Sequence, residues 1–169
     1  MTVAAVYQQY QVMPNLQQHM LRVAGVAELI GRQLLALSPP PPGFSAAELD
    51  RVILACLLHD LGNLAKFRLD RSPEFLQPQG LTYWQQQQAQ FWLRYGRNAH
   101  STTLQMLTEL KVEPRVVELV DAVSFVKAKA NLEDDDYGRK LSAYADMRVA
   151  PHGVVSLADR LEDGRRRYA

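Results

Sequence analysis

A chain of 169 residues with 47% hydrophobic side chains can bury one sizeable core, and its nine glycines and nine prolines are too few for extensive disorder. Nineteen Lys and Arg against 18 Asp and Glu leave a net charge of +1, which excludes the broad basic face that duplex nucleic acid or an anionic membrane requires. A small or locally bound partner fits better.

Met1-Thr2-Val3-Ala4-Ala5 carries no basic stretch ahead of an apolar one, and no apolar run approaches the roughly 20 residues that span a bilayer. The expectation is a cytoplasmic protein of one domain, residues 1–169. The first long pattern runs from about Asn15 to Leu37. There Leu16, Met20, Val23, Ala27, Ile30 and Leu34 recur at three- and four-residue steps, predicting a helix with one buried stripe. His19 sits beside that stripe. Ser38 and the run Pro39-Pro40-Pro41-Pro42 end the helix, because consecutive prolines cannot continue it.

Ser45 and Glu48 have capping-box spacing and open the next helix. Its run Val52-Ile53-Leu54-Ala55-Cys56-Leu57-Leu58 has no polar face, reads as a buried helix, and delivers His59-Asp60 before Gly62 breaks it. Cys56, the single cysteine, reads as a small core hydrophobe. From Lys66 to Gly80 charged and Pro-containing sequence predicts an ordered loop with a short turn, a candidate lid. Thr82 and Gln85 repeat the capping-box spacing and open a helix to about Tyr95, with Trp84, Phe91 and Trp92 as its apolar part.

Asn98 caps a helix carrying His100, Leu104, Leu107 and Leu110, and Pro114 fits the first turn of another through Val116, Val117, Leu119, Val120 and Val123. Asp134-Asp135-Asp136 interrupts the pattern. A short helix from about Arg139 to Met147 ends near Asp146, and Pro151-His152-Gly153 makes a loop. Ser156 opens a last helix with Leu157, Leu161 and the cationic run Arg165-Arg166-Arg167. With no hairpin signal, no sustained alternation and no repeat, the fold class is an all-α bundle.

Within that bundle His59-Asp60 is out of place. An ionised carboxylate in apolar surroundings demands a compensating cation. Taken with His19 and Asp146, the order His, then His-Asp, then a distant Asp, all on helices, resembles the HD-domain metal-dependent phosphohydrolase superfamily. The likeness rests on His19-Met20-Leu21-Arg22-Val23-Ala24 and on Leu58-His59-Asp60-Leu61-Gly62-Asn63, and it covers most of the chain. It implies that His19, His59, Asp60 and Asp146 bind a divalent metal, and such a nitrogen and oxygen donor set suits Mn, Fe, Co, Ni or Zn. Asp121, Asp136 and Asp159 compete with Asp146 for the last place. His100 is a further metal candidate, because binuclear relatives place extra histidines between the HD pair and the last Asp. They usually supply two and this chain has one, which favours a single ion.

Resemblance implies hydrolysis of a small phosphoester, with a nucleotide or nucleotide-like substrate. A divalent ion with open positions polarises a phosphoryl oxygen and acidifies water. Arg22, one turn after His19, is the first choice to neutralise the phosphoryl charge, Lys66 the second and Arg148 the third. Many relatives carry Glu or Lys three residues beyond the HD Asp, where this chain has Asn63, which orients water but shuttles no proton. The general acid is therefore open between metal-bound water, Asp60 and an acid near Glu74. Arg165-Arg166-Arg167 is read as a second-phosphate or RNA site, or as a solvated helix end. Two alternatives stay open: a di-iron oxygenase of the same superfamily, and a non-catalytic module whose metal only stabilises the helices. A homodimer through the outer helices is also open.

Overall fold

The computed structural model describes residues 1–168, with side chains through Arg166. It is helical almost throughout. Among the described residues nine α-helices run in chain order as α1 Val3–Gln9, α2 Pro14–Leu35, α3 Ala46–Leu58, α4 Leu81–Tyr95, α5 Ala99–Glu109, α6 Pro114–Ala122, α7 Ala128–Glu133, α8 Tyr137–Met147 and α9 Leu157–Tyr168. Short 3-10 turns cover Asn63–Lys66, Pro73–Leu76 and Phe125–Lys127. No helix among the described residues is long and apolar enough to cross a membrane.

The predicted stripe on α2 is buried at Leu16, Met20, Val23 and Ala27 and packs chiefly on α3, while α3 also packs against α6 and α8. Val52, Ala55 and Cys56 of α3 are fully buried, which explains a run with no polar face. Asn98 and Ser156 accept hydrogen bonds from Ser101 N and Asp159 N at 3.0 and 3.1 Å, as expected of caps, and Pro114 opens α6.

Several expectations need correction. α1 was unforeseen, since seven residues give too short a period to read, yet Tyr7 donates its hydroxyl to the Leu57 carbonyl at 2.6 Å and so caps the end of α3. α7 was missed for the same reason. α4 starts at Leu81 with Gly80 as its cap, so Thr82 does not cap it. α8 starts at Tyr137 because Asp136 accepts from Arg139 N at 3.0 Å. Around Pro151 the chain forms a two-residue antiparallel ladder, β1 Val149–Ala150 with β2 Gly153–Val154, too short to show alternation. α3 ends at Leu58, before Gly62. Gly62 instead allows close approach: a Cβ there would lie 2.3 Å from the Ala99 carbonyl oxygen and 2.8 Å from Thr103 N. Its own N–H donates to Thr103 Oγ1 at 2.9 Å, fastening the turn after α3 to α5.

The stretch from Lys66 to Gly80 is not a free lid. Leu69 and Leu76 are buried, Gln88 Nε2 donates to the Leu64 and Phe67 carbonyls, Trp92 Nε1 to Ala65 and Trp84 Nε1 to Leu76. α4 thus staples it down.

Ser45 caps α3 by accepting from Glu48 N at 3.2 Å, but Glu48 does not complete the box. Its carboxylate, nearly buried, takes hydrogen bonds from Arg115 of α6, whose Nη2 also reaches Asp136 at 2.8 Å. One guanidinium therefore joins the starts of α3, α6 and α8, the helices whose far ends carry the residues of interest. Deleting one member of a buried ion network leaves an uncompensated charge and costs about 3 kcal/mol. Arg115→Ala should accordingly lower the melting temperature by roughly 6–12 °C; a fall of less than about 2 °C in a calorimetric scan would show that the network does not set the helix positions.

Candidate metal centre

His19 projects from mid-α2, His59 is the residue that caps the end of α3, Asp60 follows it, and Asp146 is the second-last residue of α8. Groups from three segments distant in sequence thus meet. His19 Nε2 lies 3.0 Å from Asp146 Oδ1 and 3.6 Å from Asp60 Oδ2; His59 Nε2 lies 3.3 and 3.7 Å from the same two oxygens. The ring centroids are 5.3 Å apart with planes inclined at 57°. His19, His59 and Asp60 form a group able to hold a metal ion, and Asp146 Oδ1 stands between the same two imidazoles. Donors about 2.1 Å from one ion are separated by about 3.0–3.4 Å; the two spacings to Asp146 fall in that range and the two to Asp60 exceed it by a few tenths of an ångström, so a small inward movement of Asp60 completes a site for one small cation.

The state of His59 supports this fit. Its Nδ1 lies 2.8 Å from the Cys56 carbonyl oxygen, which can only accept, so Nδ1 carries a proton. Nε2 is then the ligating nitrogen, and although buried it has no hydrogen-bond partner, its approach to Asp146 being misaligned. A buried polar atom without a partner costs about 1–3 kcal/mol, and a cation among the four groups removes that cost. The carbonyl ends of α3 and α8 add a negative potential that favours positive charge here. Burial alone would lower the pKa of His59, but the charges of Asp60 and Asp146 and the Cys56 carbonyl outweigh it and push it up to about 9. Burial alone would raise Asp146, but the nearby imidazoles of His19 and His59 hold it well below the usual carboxylate range. Burial pushes the Cys56 thiol far above its ordinary value, with the Asp146 charge adding to it, so Cys56 is inert as the sequence suggests.

His59, Asp60 and Asp146 form part of the wall of a cavity of about 790 Å³, within the usual range for a small-molecule site. Asn63, Lys66 and His100 line it as well. His100 Nε2 is paired with Asp121 Oδ1 at 2.8 Å, and Asp121 also meets Lys127 at 3.1 Å, so the structure brings His100 into the cavity but not into the His19 group. The competing acids are engaged elsewhere: Asp121 with His100, Asp136 with Arg115, Asp159 with Ser156. Arg22 is not brought to the cavity wall; its Nη1 donates to the Pro151 carbonyl at 3.3 Å. Arg148 is spent on the Val155 carbonyl and Tyr144 hydroxyl. Glu74 is exposed and outside the cavity, and His152 stacks on Phe75 in its surface loop.

The cavity contains residues the sequence reading passed over, chiefly Arg160 and the exposed ring of Phe125. Arg165 is there too, while the Arg167 side chain lies outside the described residues. A signal existed: residues 160, 161, 164 and 165 have the spacing of one helical face, and that face lines the cavity.

The family model described as HD domain matches residues 16–164. No curated protein and no solved structure matches the chain. The match spans well over half of the sequence, so the chain belongs to the HD-domain family, a superfamily of metal-dependent phosphohydrolases.

Because a proton on His59 must leave before Nε2 can bind an ion, the affinity of metal-free protein for Mn²⁺ or Zn²⁺ should climb with pH, by up to about tenfold per unit, and level off above about pH 9. Titration calorimetry in buffers of different ionisation heat should register proton release at pH 7.5. Affinity independent of pH would contradict the assignment, as would an Asp60→Ala variant that loses less than about 100-fold in metal affinity.

Proposed function

We propose that this HD-domain chain, a single domain over residues 1–169, hydrolyses a small phosphoester, a nucleotide or nucleotide-like compound, at a centre formed by His19, His59, Asp60 and Asp146. The observation that carries the reading is the buried, unpartnered Nε2 of His59 facing two carboxylates in the wall of a cavity also lined by Lys66 and Arg165, which make no ion pair among the described residues. A divalent ion bound there supplies Lewis-acid polarisation of a phosphoryl oxygen and acidifies water at neutral pH.

The protein's own groups supply the rest. Lys66 makes no ion pair among the described residues and lies at the cavity wall two turns of chain beyond Asp60, so it serves to neutralise the phosphoryl oxygens. Arg22 is assigned instead to holding the Pro151 loop. Asp60 has Oδ2 turned toward the imidazoles and uses Oδ1 to receive a proton from the attacking water. Asn63 orients that water. The first residues of α5, Ala99 and His100, line the cavity, so the positive end of that helix faces an anionic substrate. His100, braced by Asp121, is the group placed to protonate the leaving oxygen. The exposed Phe125 ring at the wall offers an apolar face for a base or sugar.

One metal group containing His19 is found among the described residues, which supports a single ion over a di-iron oxygenase. The test is a panel of nucleoside monophosphates, cyclic nucleotides and simple aryl phosphates with Mn²⁺-loaded and chelator-treated protein. Turnover should require metal, vanish in Asp60→Ala, and fall about 10²-fold in Lys66→Gln. A metal-replete protein inert toward the whole panel would sink the reading and favour a non-catalytic module.

A further inference from the structure

Large apolar side chains left in water are unfavourable, and two of them stand in the cavity wall. Phe125, the first residue of the 3-10 turn after α6, is 75% exposed, and Leu161 of α9 is 40% exposed. Neither is part of the hydrophobic core formed by the described residues. Val123 and Met147, both half-buried, line the same cavity. Gly164 lies one turn beyond Leu161 on the same helical face, and a Cβ there would meet nothing within 4 Å, so the wall beside Leu161 is open space.

Single apolar residues scattered over a surface need no explanation. These two differ, because they line a concavity of about 790 Å³ that also contains His59, Asp60 and Asp146. An ester held at those groups must lay its alcohol against the rest of the wall. Two polar groups there are already committed: Thr103 Oγ1 accepts from Gly62 N and donates to the Ala99 carbonyl, and His100 is paired with Asp121. Lys66 and Arg165 are charged and favour phosphoryl oxygens over neutral hydroxyls. The alcohol therefore meets chiefly carbon. Sugar hydroxyls laid on carbon give up water without replacement. A flat ring gives up none, and against a phenyl face it gains contact beyond its area.

We infer that Phe125 and Leu161 hold an aromatic ring carried by the alcohol of the ester, so that the protein selects ring-bearing phosphoesters over phosphates of plain sugars and polyols. This rests on the phosphohydrolase reading for the reacting end and names what the other end carries. It assigns specificity to two residues outside the metal group.

The test compares Mn²⁺-loaded wild type with its Phe125→Ala/Leu161→Ala double variant on two pairs with matched leaving alcohols. The first sets the better of adenosine and uridine 5′-monophosphate against ribose 5-phosphate, the second benzyl phosphate against cyclohexylmethyl phosphate. Selectivity is read as kcat/KM by phosphate release where there is turnover, and as affinity by titration calorimetry where there is none. Wild type should favour the nucleotide by at least about tenfold and the benzyl ester by about threefold. In the double variant the members of each pair should come within about twofold of each other, and Phe125→Tyr, which keeps a flat ring, should retain the preference. Failure of either pair to show the preference in wild type, or its survival in the double variant, overturns the inference even where turnover upholds the hydrolase reading. So does a dimer in light scattering that Phe125→Ala dissolves, since a second copy would then cover the ring. Ring-dependent affinity without any turnover upholds the inference and defeats the hydrolase reading. Neither side chain is buried, so their removal opens no hole in the core, and a circular dichroism melt checks that.

Discussion

Four electron-rich atoms, two imidazole nitrogens and two carboxylate oxygens, converge within 3.0–3.7 Å of one another across the His–Asp contacts, and one of them is sealed from water. Lone pairs so placed repel unless positive charge lies among them. Either protons or a metal ion must therefore be present, and much of the fold serves to hold the groups in that unfavourable arrangement. α3 is gripped at its start by Arg115 and at its end by Tyr7 and by the His59 ring on the Cys56 carbonyl. α8 is gripped at its start by the same arginine through Asp136. Fixing helices at their far ends lets the near ends tolerate strain.

Patterns of one residue type against another were legible where they repeat. The stripe on α2, the featureless run of α3, the caps at Ser45, Asn98 and Ser156 and the prolyl start of α6 are all local signals, and the all-α architecture followed from them. His19, His59, Asp60 and Asp146 were singled out instead by their order along the chain and the family likeness it carries, and the structure brings their side chains together. What the sequence concealed depends on which distant segment comes alongside. Glu48 has the right spacing to close a capping box, yet a guanidinium 67 positions away is a stronger partner than a backbone N–H. Gly62 looked like a helix stop, whereas its value lies in the 2.3 Å a methyl group would leave to the Ala99 oxygen. Arg22 has helical spacing from His19, but the Pro151 loop folds across and takes its guanidinium. Arg160 shares a helical face with residues 161, 164 and 165, but spacing alone does not tell that this face meets the cavity.

The cavity is divided by chemistry. Its acidic and imidazole groups come from the ends of α3 and α8 and the start of α5, while Arg160 and Arg165 come from α9, none of whose described residues is buried. A rigid wall suits ligands whose spacing sets metal affinity to within tenths of an ångström. A lightly held wall can adjust to substrates of different length, at the cost of some ordering entropy on binding.

Gln88, Trp84 and Trp92 give the irregular stretch after His59-Asp60 another character. Their side chains occupy four of its carbonyls, a task that in a sheet falls to a neighbouring backbone. Cleavage by a protease needs an extended, unpaired segment of about ten residues, and this one must first shed several indole and amide contacts. The stretch that carries Arg68 and Arg71 is thereby armoured by the helix that follows it.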